Sequence, residues 1–464
     1  MNQSTYSLLA ERALLPGGWA QSVLLRWDAQ GTLTSVEPNA KAAADVPRTA
    51  GPVLPGMPNL HSHAFQRGFA GLSEFRGQTQ DSFWSWRSLM YRFAARLGPQ
   101  HLEAIATWLY IEMLQAGYTS VCEFQYLHHQ PDGRTYVPDA ELSLALLRAA
   151  KTAGIGMTLL PVLYQNSGFG AQPPNDGQKR FIRSTDNMLR LLESLQPVCA
   201  AQGAALGLAP HSLRAVAPPA LKEAVQGLHA ISAQAPVHIH IAEQTAEVDA
   251  CVAWSGQRPV AWLMDHMPVD ARWCLVHATH MDDAEYASAA TSGAVAGLCP
   301  MTEANLGDGI FDLPRWEQHS GRWGIGSDSH ICVDAAEELM MLEYSQRLQR
   351  RQRNVAASAA QPHVASYMLL QAVQGGAQAA GRAIAGLQVG QQADFLALNA
   401  DHIALAGLPA AEQLDAHVFA SSRTNAIDSV WVAGQRNVAG GAHALHSEAQ
   451  AAFIAARATL IKED

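Results

Sequence analysis

The chain alternates short apolar runs with amphipathic stretches through most of its length. Segments such as 99–117 and 139–154 repeat apolar residues at the spacing of one helix face. Strand and helix patterns that alternate in this way predict repeated βαβ units, and eight such units close a (β/α)8 barrel of the TIM type. The eight apolar runs that predict strands span residues 53–63, 119–126, 157–164, 206–212, 236–243, 273–280, 294–300 and 323–329.

The two ends of the chain have a different pattern. Residues before the first run, and the segments 386–399 and 427–441, alternate apolar and polar positions between glycine turns, which is typical of antiparallel strands. We therefore expect a small β-sandwich built from both termini. Its parts would be residues 1–52 and 386–464, the second part ending in a helix, with the barrel occupying residues 53–385.

Composition narrows the class of partner. The 464 residues include 31 Lys and Arg against 41 Asp and Glu, a net charge of −10, which disfavours a nucleic acid or an anionic membrane as partner. The six cysteines are scattered without a C-x-x-C pair, as expected of reduced thiols in a cytoplasm. The first residues lack the features of a signal peptide, and no stretch has the composition of a membrane span. The prediction is a soluble, cytoplasmic protein with a small-molecule substrate.

Polar residues that can bind a metal or carry a proton gather where the apolar runs end. In a barrel the carboxyl ends of the strands meet on one face, where active sites are built. The residues concerned are His61, His63, Glu123, His211, His240, Glu243, His277 and Asp328.

The first of these groups is a His-x-His motif. Side chains two residues apart on a strand point the same way, so His61 and His63 can converge on one ion. The motif by itself suits a metal site and a pair of structural histidines equally well. Three further strand ends with His240, His277 and Asp328 favour the metal site, although Asp328 has the alternative of capping a helix.

This constellation resembles the mononuclear deaminase branch of the amidohydrolase superfamily. The branch has H-x-H after strand one, H-x-x-E after strand five, His after strand six and Asp after strand eight. The resemblance implies one divalent metal ion, with zinc expected, although iron or manganese also suits such ligands. The end of strand four has no lysine to bridge a second ion. The implied metal ligands are His61, His63, His240 and Asp328, and the implied catalytic groups are Glu243, His277 and Asp328.

Five segments further resemble the formimidoylglutamate deiminases of this branch: 54–72, 82–91, 123–129, 209–216 and 299–311. This implies hydrolysis of N-formimino-L-glutamate to N-formyl-L-glutamate and ammonia, a step of histidine degradation. Two carboxylates on such a substrate need local cations, and the arginine fork binds a carboxylate bidentately. The implied substrate-binding residues are Gln66, Arg87, Tyr126, His211 and Arg214.

Two alternatives remain open from the sequence. One is a deaminase or chlorohydrolase of the same branch that acts on a purine or triazine ring, although a neutral ring leaves Arg87 and Arg214 unpaired. The other is a metal-free scaffold, which retention of all four ligands disfavours. A homodimer is the ordinary expectation for such an enzyme.

Overall fold

The structure is a computed structural model that describes residues 6–74, 83–421 and 424–462. Parts of three predicted segments, 1–52, 82–91 and 386–464, lie outside the described residues. No helix in the described ranges is long and apolar enough to cross a membrane.

Strands and helices alternate along most of the described chain. The strands are β1 (Tyr6–Leu15), β2 (Gly18–Trp27), β3 (Leu33–Glu37), β4 (Arg48–Thr49), β5 (Val53–Pro55), β6 (Met57–Ser62), β7 (Tyr118–Gln125), β8 (Gly156–Leu163), β9 (Ala205–Leu206), β10 (Ala209–Pro210), β11 (Val237–Ile241), β12 (Trp273–His277), β13 (Val295–Leu298), β14 (Arg322–Ile325), β15 (Phe395–Leu398), β16 (Ile427–Val432), β17 (Gln435–Ala439) and β18 (Ala442–His443). The α-helices are α1 (Phe83–Ala94), α2 (Pro99–Gln115), α3 (Glu141–Ala153), α4 (Thr185–Ala201), α5 (Pro218–Ile231), α6 (Thr245–Ser255), α7 (Pro259–His266), α8 (Asp283–Thr291), α9 (Pro300–Leu306), α10 (Leu313–Gln318), α11 (Ala335–Arg350), α12 (Val364–Ala380), α13 (Ala410–Phe419) and α14 (His446–Ile461). Two 3₁₀ helices cover Ala64–Phe69 and Asp176–Gln178.

The eight predicted barrel strands form one parallel sheet in the order β10, β8, β7, β6, β14, β13, β12, β11, with β9 beside β8. A parallel bridge between Leu208 and Val237 joins strand four, made of β9 and β10, to strand five, β11. The sheet therefore closes on itself. Its strands are buried along almost their whole length, which explains their continuous apolar runs.

Helix α12 closes the end of the barrel opposite the strand carboxyl ends. The carbonyl oxygens of Ala379 and Ala380 accept hydrogen bonds from His238 Nε2 (2.8 Å) and Thr158 Oγ1 (2.8 Å). His238 is thus a satisfied core histidine. Close packing of α12 on β14 requires glycine, because a Cβ at Gly375 would lie 1.9 Å from the carbonyl oxygen of Trp323.

The strands from both ends of the chain form one mixed sheet in the order β18, β17, β16, β15, β5, β1, β2, β3, with β4 beside β1. It has its own apolar cluster, in which Trp27, Phe395 and Trp431 pack together. The predicted fold class, a (β/α)8 barrel with a small β-sandwich built from both termini, is confirmed, and the terminal unit is formed by this β-rich sheet.

The structure divides the first apolar run into two strands. Residues 53–55 pair with β1 and β15 in the terminal sheet, whereas residues 57–62 pair with β7 and β14 in the barrel. Gly56 lies between them, and a Cβ there would be 2.2 Å from Thr119 Cγ2. Apolar periodicity does not reveal this change of sheet, because both halves are equally buried.

Candidate active site

Four buried side chains at the carboxyl ends of three barrel strands converge on one point. His61 Nε2 lies 3.1 Å from His63 Nε2 and 3.0 Å from His240 Nε2. Asp328 Oδ1 lies 3.4 Å from His61 Nε2 and 3.3 Å from His63 Nε2. We refer to His61, His63, His240 and Asp328 as the His3Asp cluster.

Hydrogen bonds made by the Nδ1 atoms of two of the imidazoles fix which ring nitrogen carries the proton. His63 Nδ1 lies 3.0 Å from the carbonyl oxygen of Phe124, and His240 Nδ1 lies 3.1 Å from that of His211. A carbonyl only accepts, so each Nδ1 carries the proton and each Nε2 presents a lone pair. His61 Nε2 lies 3.0–3.1 Å from both of these nitrogens and has at most one proton to donate, so a cation between the three nitrogens is what satisfies both lone pairs.

The separations suit a small divalent ion. A tetrahedral site with Zn–N bonds of about 2.0–2.1 Å has ligand atoms about 3.3 Å apart. The four separations given above are 3.0–3.4 Å, and all four ligand atoms lie within 4.8 Å of one another. The four residues therefore fit one such ion, and three imidazoles with one carboxylate are a donor set that zinc accepts.

Backbone conformation at the strand ends aims the side chains into this space. Ala242, His277 and Asp328 have φ values of 51°, 67° and 44°, in the left-handed region that non-glycine residues seldom adopt. Each lies at or just beyond the end of β11, β12 or β14. Such strained residues cluster at functional sites, where the surrounding fold holds them in place.

Two predicted proton-transfer groups lie beside the cluster. His277 Nε2 is 3.8 Å from Glu243 Oε1 and 3.7 Å from Asp328 Oδ2. Burial by itself lowers the pKa of His277, but Glu243, Glu303 and Asp328 outweigh burial and raise the pKa of His277 to about 10. Burial raises the pKa of Glu243, against the opposing charge of His277.

A cavity of about 550 Å³ opens directly above the cluster. His61 is fully buried behind it, and every other residue predicted for the site lines its wall. Apolar and aromatic side chains complete the wall, among them Trp86, Met90, Tyr164, Phe181 and Leu306.

Two arginines reach the cavity from different elements. Arg87 lies on helix α1 and not at the end of a barrel strand. Its Nε donates to the Tyr91 hydroxyl (2.7 Å) and its Nη2 to the Tyr164 hydroxyl (2.9 Å). Arg214 follows strand four, and its buried Nε has no hydrogen-bond partner within the part of the chain described.

Three polar side chains line the cavity between the arginines and the cluster. Gln66 lies in the 3₁₀ helix after β6 and donates from Nε2 to the Tyr126 hydroxyl (3.0 Å), which leaves its buried Oε1 without a partner among the described residues. His211 contacts Tyr164 edge to face, with ring centroids 4.7 Å apart. Burial and the nearby Arg214 and Arg87 hold the pKa of His211 well below its usual range, so this ring is neutral.

Sequence reasoning missed Glu303. This residue lies on α9 and is only 4% exposed, and its Oε1 is 3.3 Å from His277 Nδ1. Its only sequence signal is an acidic residue in the first turn of the helix after strand seven. Glu123, the other acidic residue noted at a strand end, instead accepts hydrogen bonds from Ser62 and Tyr110.

Comparison with known proteins agrees with this geometry. A family model described as the amidohydrolase family matches residues 53–436. The chain is 52% identical over 448 residues to formimidoylglutamate deiminase of Pseudomonas aeruginosa, covering 97% of this chain and 98% of that protein. It is 46% identical to an amidohydrolase from Brucella melitensis whose crystal structure superposes with a TM-score of 0.93, covering 98% of this chain and 100% of that one. It is 26% identical over 364 residues to 8-oxoguanine deaminase of Pseudomonas aeruginosa, covering 76% of each chain.

Proposed function

The chain belongs to the amidohydrolase family, and on that premise we propose that it is a formimidoylglutamate deiminase, hydrolysing N-formimino-L-glutamate to N-formyl-L-glutamate and ammonia. The observation that carries the proposal is one cavity that joins the His3Asp cluster to two arginines. A dicarboxylate amidine needs both features. The near full-length relative with 52% identity supports the same reaction.

We assign a single divalent ion, with zinc as the expected metal, to the His3Asp cluster. When bound, such an ion supplies Lewis acidity that makes water acidic enough to lose a proton near neutral pH. The chain's own residues then decide where protons move and how the substrate is oriented.

Binding relies on the two arginines, Arg87 and Arg214. Each presents a guanidinium that pairs with a carboxylate, so that the formimino carbon is held toward the His3Asp cluster. Gln66, Tyr126 and His211 line the wall between them and contact the rest of the substrate. Holding the reacting carbon in this way makes attack by water effectively unimolecular.

Three side chains move or hold protons. Asp328 accepts a proton from the attacking water, and His277 Nε2 orients that water by hydrogen bonding. Glu243 delivers a proton to the imino nitrogen. The water oxygen bonds to the formimino carbon as the C=N double bond becomes single. The proton held by Asp328 then passes to the same nitrogen, the C–N bond breaks and the nitrogen leaves as ammonia, while the remaining hydroxyl proton returns to Glu243 and the formyl carbonyl forms.

The test is ammonia release by the purified protein, with mass-spectrometric detection of N-formyl-L-glutamate. N-formimino-glycine, which lacks the side-chain carboxylate, and guanine serve as comparison substrates. We expect N-formimino-L-glutamate to have the highest kcat/KM of the three. Faster release of ammonia from guanine would favour the alternative of a ring deaminase.

We further propose a cytoplasmic homodimer. The six cysteines are all unpaired, which suits a reducing compartment. Light scattering coupled to size-exclusion chromatography measures the mass in solution, and a mass near that of one chain would contradict the dimer.

A further inference from the structure

We infer that Glu303 is a positioning residue for the proposed hydrolysis, holding the His277 imidazole so that Nδ1 is the protonated donor and Nε2 faces the reacting groups. The inference rests on the proposed function. It assigns a role to a residue of α9 that belongs neither to the His3Asp cluster nor to the lining of the cavity.

The contact is direct and buried. Glu303 Oε1 lies 3.3 Å from His277 Nδ1, and the exposed fractions of the two residues are 4% and 1%. The same oxygen accepts a hydrogen bond from the backbone N–H of Cys299 at 2.9 Å. The carboxylate is therefore tied to its own helix start on one side and to the imidazole on the other.

The orientation of this ring has chemical consequences. The hydrogen-bond partner of one ring nitrogen sets the rotation of the imidazole, and so the direction in which the other nitrogen points. With Nδ1 bonded to Glu303, Nε2 is directed between Glu243 Oε1 and Asp328 Oδ2, at 3.8 and 3.7 Å. Without this partner, the ring is free to rotate about Cβ–Cγ, and Nε2 then no longer serves the attacking water.

The backbone conformation of His277, with φ of 67°, sets the direction of its Cα–Cβ bond but not the rotation of the ring. In the part of the chain that the structure describes, Glu303 is the hydrogen-bond partner of His277 Nδ1. The backbone therefore sets where the His277 side chain starts, and the hydrogen bond to Glu303 sets the rotation of its ring.

A double-mutant cycle tests this role. In the metal-loaded enzyme we expect Glu303→Ala to lower kcat by about 10- to 100-fold, as for other residues that orient a functional histidine. KM is expected to change less than about threefold, because Glu303 does not touch substrate. In a His277→Ala background, the same Glu303→Ala change is expected to alter kcat less than about twofold. Mass-spectrometric product detection at high enzyme concentration measures the low rates.

Glu303→Gln supplies the second arm. The amide keeps an acceptor oxygen but loses the charge, so we expect a smaller fall in kcat, about 3- to 10-fold. If Glu303→Ala does not fold, the same cycle with His277→Ala is run on Glu303→Gln.

Glu338→Gln is the matched control. Glu338 is also a buried acid, and its Oε2 accepts from the backbone N–H of Met301 in α9, 2.9 Å away, without contacting His277. We expect this variant to keep kcat within about twofold even if its melting temperature falls, since it alters a contact between α11 and α9 and leaves His277 untouched.

Two results would overturn the inference while leaving the proposed function intact. The first is an active parent enzyme whose Glu303 variants keep full kcat. The second is a double variant whose loss of kcat equals the product of the losses in the Glu303 and His277 single variants. A parent that releases no ammonia from N-formimino-L-glutamate overturns the proposed function first, and the inference with it.

Discussion

Replacing Arg214 with methionine tests the proposed substrate pocket most directly. Methionine keeps much of the length and apolar character of the arginine stem but removes the guanidinium. The buried Nε of Arg214 has no hydrogen-bond partner among the described residues, so a bound carboxylate replaces no existing protein hydrogen bond there. The loss on substitution is therefore expected in substrate recognition rather than in folding.

The magnitude follows from the number of bonds lost. A hydrogen bond to a charged group contributes about 1.5–3 kcal/mol. A bidentate pair makes two, and the desolvation of both charges offsets part of the sum, so a net loss of about 3 kcal/mol is expected. At about 1.4 kcal/mol per factor of ten, kcat/KM should fall by about 100-fold or slightly more.

The assay compares kcat/KM for N-formimino-L-glutamate with values for two analogues, each lacking one carboxylate. If Arg214 pairs with one carboxylate, the substitution should cost less than about threefold on the analogue that lacks it. Arg190→Met, at an exposed position on α4, is the control for loss of a positive charge elsewhere. An Arg214→Met variant that keeps full activity on the intact substrate, or loses the same factor on all three, would refute the pairing.

Three further predictions address the metal, the terminal sheet and the packing of α12. Chelation should remove one metal equivalent per chain and lower the melting temperature, because the folded state alone binds the ion. His240→Ala should lower metal stoichiometry, whereas the exposed His266→Ala should not, as measured by elemental analysis. Burial raises the pKa of Asp394 to about 6, so ionisation of this carboxyl lowers the free energy of unfolding as pH rises from 4 to 6. The Asp394→Asn variant should therefore stabilise the protein more at pH 7.5 than at pH 4.5, by at most about 3 kcal/mol. Equal shifts in melting temperature at the two pH values would contradict this. Gly375→Ala places a Cβ 1.9 Å from a strand carbonyl oxygen and should destabilise the protein by about 1–3 kcal/mol, whereas Gly17→Ala, with nothing within 4 Å, should be neutral in thermal unfolding.

Much of the fold was predictable because the burial of a strand or helix determines which of its positions are apolar. Barrel strands covered on both faces have continuous apolar runs, so all eight were located to within a few residues. The division at Gly56 was not predictable in this way. Its two neighbouring strands are equally buried and differ only in their pairing partners, which are distant in sequence.

The candidate site was predictable where residues share a strand end and less so elsewhere. His61 and His63 follow from the two-residue alternation of a strand, and His240 and Asp328 from the meeting of strand ends in a barrel. Arg87 reaches the cavity from helix α1, whose placement depends on how α1 packs rather than on any local spacing.

The sequence by itself determined the number and order of the strands, the unit built from both termini and the residue types available at one face of the barrel. These depend on local burial and on regular geometry, and both have a period that can be recognised along the chain. Only the tertiary structure decided that His61 Nε2 lies 3.0–3.1 Å from Nε2 of His63 and of His240, and that Glu303 Oε1 lies 3.3 Å from His277 Nδ1. Such contacts depend on ring orientation and on helix packing between segments far apart in the chain, which no local pattern specifies.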